Sequence, residues 1–130
     1  MNDIKLLNDK ELNLVQTICD IFKERYTGKT SAAKTEEILF HLKATGTVSL
    51  SPQTLRKIIG HIRNNDLLAP FFILSNVNSG YWLSSVESEL NAFLNQELDR
   101  MSNQYTNIQL LHQRIRNGKK KTENNQQQLF

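Results

Sequence analysis

Apolar residues recur along this chain in distinct periods. Leu12, Val15, Ile18, Cys19, Phe22 and Tyr26 fall at three- and four-residue steps, which predicts one buried face of a helix. Asn8 or Asp9 can cap its start, and it ends before Gly28. After a polar connection at 29–34, a shorter helix from about Thr35 to Gly46 buries Ile38, Leu39 and Leu42. Thr47-Val48-Ser49-Leu50 alternates like a small strand. Ser51-Pro52 then supplies a cap and a proline at the first helical position, opening a third helix to about Asn65. Phe71–Leu74 and Tyr81–Leu83 flank the turn-rich stretch 75–80 and predict a hairpin. Ser84 with Glu87 has the spacing of a capping box for a long helix to about Arg116. From Asn117 onward Lys, Asn and Gln dominate, and disorder is expected until the final residues.

The predicted divisions are a polar leader (1–8), a domain (9–84), the long helix (85–116) and a basic, Gln-rich tail (117–130). The fold class is therefore α+β, mainly helical. Helix, helix, strand, helix, hairpin is an order that fits a winged helix, whose third helix faces DNA and whose hairpin is the wing. Other helix-rich α+β topologies share the order.

On a wheel of about 100° per residue, Leu55, Ile58, Ile59 and Ile62 of the third helix share one arc and face the core. Gln53, Arg56, Lys57, Gly60, His61 and Asn64 lie opposite, beside Thr54, with Arg63 towards the flank. Arginine and lysine attract phosphate, whereas Gln53, Arg56 and Asn64 have the bidentate geometry that distinguishes base edges. A side chain at Gly60 would hold the backbone away from a groove wall. In the hairpin, Asn76 and Asn78 can touch phosphate or the minor groove. An ordinary solvated face has the same composition, so duplex DNA and water remain competing neighbours. Tyr81 and Trp82 point to opposite faces of a strand, so at least one belongs to the core.

Net charge is +3 in total, but its distribution says more. Residues 112–130 net +4 and the remainder −1, while no acid occurs between Glu37 and Asp66. One cysteine, Cys19, excludes an internal disulfide and a multi-cysteine zinc site. No apolar stretch suits a membrane span and the N-terminus lacks a secretory layout, so a cytoplasmic protein without membrane contact is expected. Gly28-Lys29-Thr30 lacks the earlier glycine of a phosphate loop. His41, His61 and His112 have no ligand spacing, and no nucleophile–base set is visible. No catalysis, metal or cofactor is therefore expected.

Leu94, Leu98, Met101, Tyr105, Ile108, His112 and Ile115 step by four and three in turn, a heptad seam. This seam suits a homodimer through Leu98, Met101, Tyr105 and Ile108, or folding back onto the first helix.

Two resemblances follow from short motifs. Arg56-Lys57-Ile58-Ile59, Ile62-Arg63-Asn64-Asn65, Ile73-Leu74-Ser75 and Ser79-Gly80-Tyr81-Trp82-Leu83-Ser84 resemble winged-helix proteins of bacteriophages and mobile elements. The likeness covers residues 50–98 and implies a DNA-binding accessory factor in replication or transcription. The terminal Gln126-Gln127-Gln128-Leu129-Phe130 is similar to the peptide that binds the bacterial sliding clamp. That resemblance assigns Gln126 to the glutamine position and Leu129 and Phe130 to the apolar pocket, with Gln127 replacing the usual aliphatic residue. The alternative function is a protein adaptor using the domain, the long helix and this tail.

Overall fold

The computed structural model describes residues 6–46 and 49–124, with side chains described as far as Gly118. Its elements are α1 (Asp9–Arg25), a 3₁₀ turn (Lys29–Ser31), α2 (Thr35–Ala44), α3 (Pro52–Asn64), β1 (Phe72–Asn76), β2 (Gly80–Ser84) and α4 (Glu87–Asn124). The chain divides between Asn91 and Ala92 into two compact units. Among the described residues no helix is long and apolar enough to cross a membrane.

Local chemistry sets the helix starts. Asn8 and Glu11 form a reciprocal capping box at α1, with Glu11 N–H on Asn8 Oδ1 at 2.8 Å and Asn8 N–H on Glu11 Oε1 at 3.0 Å. At α2, Lys34 N–H donates to Glu37 Oε1 at 3.1 Å. Ser51 Oγ accepts the Thr54 amide at 3.1 Å, and Pro52 occupies the first turn of α3.

Burial follows the apolar spacing. Ile18, Cys19, Phe22 and Tyr26 of α1 meet Ile38 and Leu42 of α2 and Leu55, Ile58, Ile59 and Ile62 of α3 in one core. Leu12, assigned by spacing to the same stripe, is exposed because it lies on the first turn, ahead of that core. The Tyr26 hydroxyl hydrogen-bonds His41 Nδ1, and the two rings stack with centroids 5.9 Å apart, joining the end of α1 to α2. Burial pushes the Tyr26 hydroxyl and the Cys19 thiol above their ordinary pKa values, as desolvation disfavours their ionised forms.

The hairpin pairs Phe72 with Ser84, Ile73 with Leu83, Leu74 with Trp82, Ser75 with Tyr81 and Asn76 with Gly80. Both strands are longer than the apolar runs predict. Asn76 Oδ1 accepts the Ser79 amide at 2.6 Å, closing the turn, and Gly80 supplies a φ of 91°.

The strand expected at 47–50 is described only in its second half. Thr47 and Val48 lie outside the described residues, and Ser49 and Leu50 belong to no strand. The chain joining α1 to α2 bonds to the side of β2 turned away from β1. Leu83 donates to Tyr26 O at 2.7 Å and accepts from Gly28 N–H at 2.8 Å, while Tyr81 and Ala33 exchange bonds of 2.8 and 2.9 Å. Only isolated bridges result, at Thr27–Leu83 and Ala33–Tyr81, because the 3₁₀ turn interrupts the connection between them.

The expected Ser84–Glu87 capping box does not form. Ser84 is a buried strand residue whose Oγ accepts the Val86 amide at 3.0 Å, and Leu90 N–H bonds Val86 O at 2.9 Å. The acid engaged is Glu89, which accepts from Trp82 Nε1 at 3.0 Å and also bonds the Ser84 hydroxyl. The Ser84 bond and then the Trp82 bond hold its carboxyl below the ordinary glutamate range. Because its folded pKa is depressed, this contribution to stability is present above the unfolded value and is lost as pH falls through the folded one. Trp82 is the only tryptophan, so its fluorescence reports this titration directly. An acid titration is expected to show an emission step below the ordinary glutamate range that is absent from Glu89→Gln.

The helix of the second unit continues to Asn124, past the end expected at Arg116. Lysines such as Lys119, Lys120 and Lys121 are good helix formers, and basic residues near a helix C-terminus favour its dipole. The tail residues Gln126, Leu129 and Phe130, assigned to clamp binding, lie outside the described residues.

Candidate nucleic-acid interface

The two faces of α3 separate as the wheel predicts. Leu55, Ile58, Ile59 and Ile62 are each no more than 1 % exposed. On the opposite side Gln53, Arg56 and Asn64 are exposed. Gly60 sits between them, and a Cβ built there meets nothing within 4 Å. The result is an open stripe of Gln53, Arg56, Gly60 and Asn64 with no acid on it.

Other expected contact residues are engaged within the protein. Lys57 Nζ lies 2.9 Å from Glu11 Oε1, tying α3 to the first turn of α1. The Asn8 amide and then this ammonium hold the Glu11 carboxyl below its ordinary value. The Thr54 hydroxyl lies 2.9 Å from Ser51 Oγ within the helix cap. His61 is half-buried, and Asn65 Nδ2 donates to its carbonyl at 2.9 Å.

Arg63 departs furthest from a surface role. Its Nε donates to Ile73 O at 2.8 Å and its guanidinium reaches Ser75 Oγ at 3.2 Å. The same group lies 5.8 Å from the ring centroids of both Phe72 and Tyr81. Arg63 therefore fastens α3 to the hairpin. In the hairpin itself, Asn76 is spent on the turn while Asn78 and Val77 are exposed at the tip. Trp82 is buried and bonded to Glu89, with Lys29 Nζ 5.7 Å from its ring centroid, so its ring offers bases no outward platform.

Sequence reasoning placed the stripe but missed the partners that withdraw Lys57 and Arg63 from it. Glu11 was visible only as an acid on the first turn of a helix, and no local pattern connects positions 11 and 57. Ile73 offers Arg63 a backbone carbonyl, which carries no residue-type signal at all. Among the described residues, no three His, Cys, Asp or Glu side chains gather as a metal-binding set. In the second unit, the seam residues Leu98, Met101, Tyr105 and Ile108 are all more than half exposed. No protein-family model, curated protein or solved structure matches this chain.

Proposed function

We propose that the first unit is a winged-helix DNA-binding module that sets α3 in the major groove of duplex DNA, with the hairpin beside it. The observation that carries this reading is the open stripe: one cation, two amides and a glycine, without acid, on a helix whose other face is wholly buried. Arg56 and the amides of Gln53 and Asn64 are the groups suited to base edges, and Gly60 lets the helix backbone approach closely. The α1–α2 connection bridges β2 at Thr27 and Ala33, giving the hairpin a third neighbour between the first two helices, where the order read from the sequence has a strand after the second. Lys57 and Arg63 then position the reading helix and hairpin. The module would serve a replication or transcription accessory protein of the phage and mobile-element type that residues 50–98 resemble.

Fluorescence anisotropy with the full chain and a duplex selected from random sequence tests this. Affinity is expected to fall steeply between about 50 and 200 mM salt as counterions are released. Arg56→Ala is expected to weaken binding by about tenfold or more, the value of one good base contact. Lys57→Ala, whose ammonium Glu11 already holds, should cost less. Gly60→Ala separates stability from binding: it should stabilise the helix by about 1 kcal/mol while lowering duplex affinity. Undiminished affinity in both Arg56→Ala and Gly60→Ala would overturn the assignment of this face.

A further inference from the structure

The second unit presents a continuous apolar stripe to solvent. Leu94, Leu98, Met101, Tyr105, Ile108 and Ile115 are 52–64 % exposed, and together with His112 they occupy alternating heptad core positions. Leu111 is 55 % exposed and flanks the same seam, whereas Leu110 stands on the opposite face. Three heptads of exposed seam are long for an isolated surface helix, and contiguous apolar surface of this extent marks a docking face.

Charge selects the occupant and its direction. Glu87, Glu89, Glu97 and Asp99 lie at one end of α4, relieved only by Arg100, which bonds Glu97. Arg114, Arg116, Lys119, Lys120 and Lys121 lie towards the other end, against one acid there, Glu123. Two copies side by side in parallel would set acids against acids and bases against bases. Reversing one copy sets each acidic end beside a basic end.

We infer that α4 pairs with α4 of a second copy of this chain as an antiparallel two-stranded coiled coil. Centred between Thr106 and Asn107, the pairing places Leu98 level with Ile115 of the second copy, Met101 with His112, and Tyr105 with Ile108. Every heptad core position from 98 to 115 then meets its opposite type, as antiparallel packing requires. A parallel pair would instead stack His112 on His112 at the axis. The antiparallel pair is two-fold symmetric, so the interface closes at two copies. It does not depend on duplex binding by α3.

Orientation is measurable on the full chain. Ala92 is exposed and off the seam, and Cys19, the only native thiol, is buried. A nitroxide on Ala92→Cys reads the distance between equivalent positions by pulsed electron resonance. At a rise of 1.5 Å per residue, the antiparallel pair sets these positions about 44 Å apart along the axis. A parallel pair keeps them near the interaxial spacing of about 10 Å, lengthened by the labels to roughly 25 Å at most. Sedimentation at about 100 μM should show a dimer that Ile108→Asp dissociates and Arg56→Ala leaves intact. A label distance near 44 Å with a dimeric mass supports the inference. A short distance overturns the direction. A monomer at that concentration overturns the pairing, leaving the charge layout to serve only the helix dipole.

Discussion

Gly80→Ala is expected to lower the stability of the first unit by about 3 kcal/mol, and more if the hairpin detaches. Two independent effects converge at this position. Its φ of 91° is a conformation that L side chains rarely adopt. A Cβ there would also stand 2.3 Å from Ala33 O, 2.6 Å from Ala33 C and 2.8 Å from Lys34 N. All three are backbone atoms, so relief requires the α1–α2 connection to withdraw from β2. The two Ala33–Tyr81 hydrogen bonds lie next to the clash and would break first. At roughly 4–8 °C per kcal/mol for a unit of this size, the melting midpoint should fall by about 12 °C or more. Gly28→Ala is the matched control. Gly28 has nearly the same φ, 89°, but a Cβ there meets nothing within 4 Å. It should cost only the conformational term of about 1–2 kcal/mol. Thermal melts followed by circular dichroism compare the two; equal midpoints would refute the role of the Ala33 contact.

Arg63→Met is expected to destabilise by about 2 kcal/mol, in the range for hydrogen bonds from a charged donor. Methionine keeps much of the aliphatic stem that lies along the core edge but removes both donors, leaving Ile73 O and Ser75 Oγ without this partner. Lysine is a poor replacement, because a single ammonium lacks the planar fork that reaches two acceptors. Urea unfolding of Arg63→Met and Arg63→Lys beside Arg56→Ala provides the measurement. Both Arg63 variants should lose stability, and Arg56→Ala, exposed and outside the core, should lose almost none. A midpoint unchanged in Arg63→Met would return Arg63 to the surface role that its position on the helix first implied.

What the sequence revealed and what it hid divide along locality. The buried arc of α3 was legible because four aliphatic residues at helical spacing have one geometric solution. The Ser51-Pro52 start, the hairpin and the terminator after α2 were legible because their chemistry acts within a few residues. The bridges from the α1–α2 connection to β2 went unread for the opposite reason. The residues of that connection contribute only isolated bridges on either side of a 3₁₀ turn, too short for any period. Lys57 was read as an outward cation because nothing near it in sequence is acidic; its partner is 46 positions away. Glu89 displaced Glu87 beside Ser84 because Ser84 belongs to the strand, and a capping box presumes a residue at the helix threshold.

The bonds that Leu83 and Tyr81 make to the α1–α2 connection have a consequence on the far side of the sheet. Since both residues direct their amides and carbonyls away from β1, the amides and carbonyls of their partners Ile73 and Ser75 point to the side of β1 away from β2. An edge left open there would be a template for an incoming strand. Arg63 occupies the Ile73 carbonyl and crowds the neighbouring position with a charged group. The residue that fastens the hairpin therefore also takes up an acceptor that the addition of a strand on that side would need.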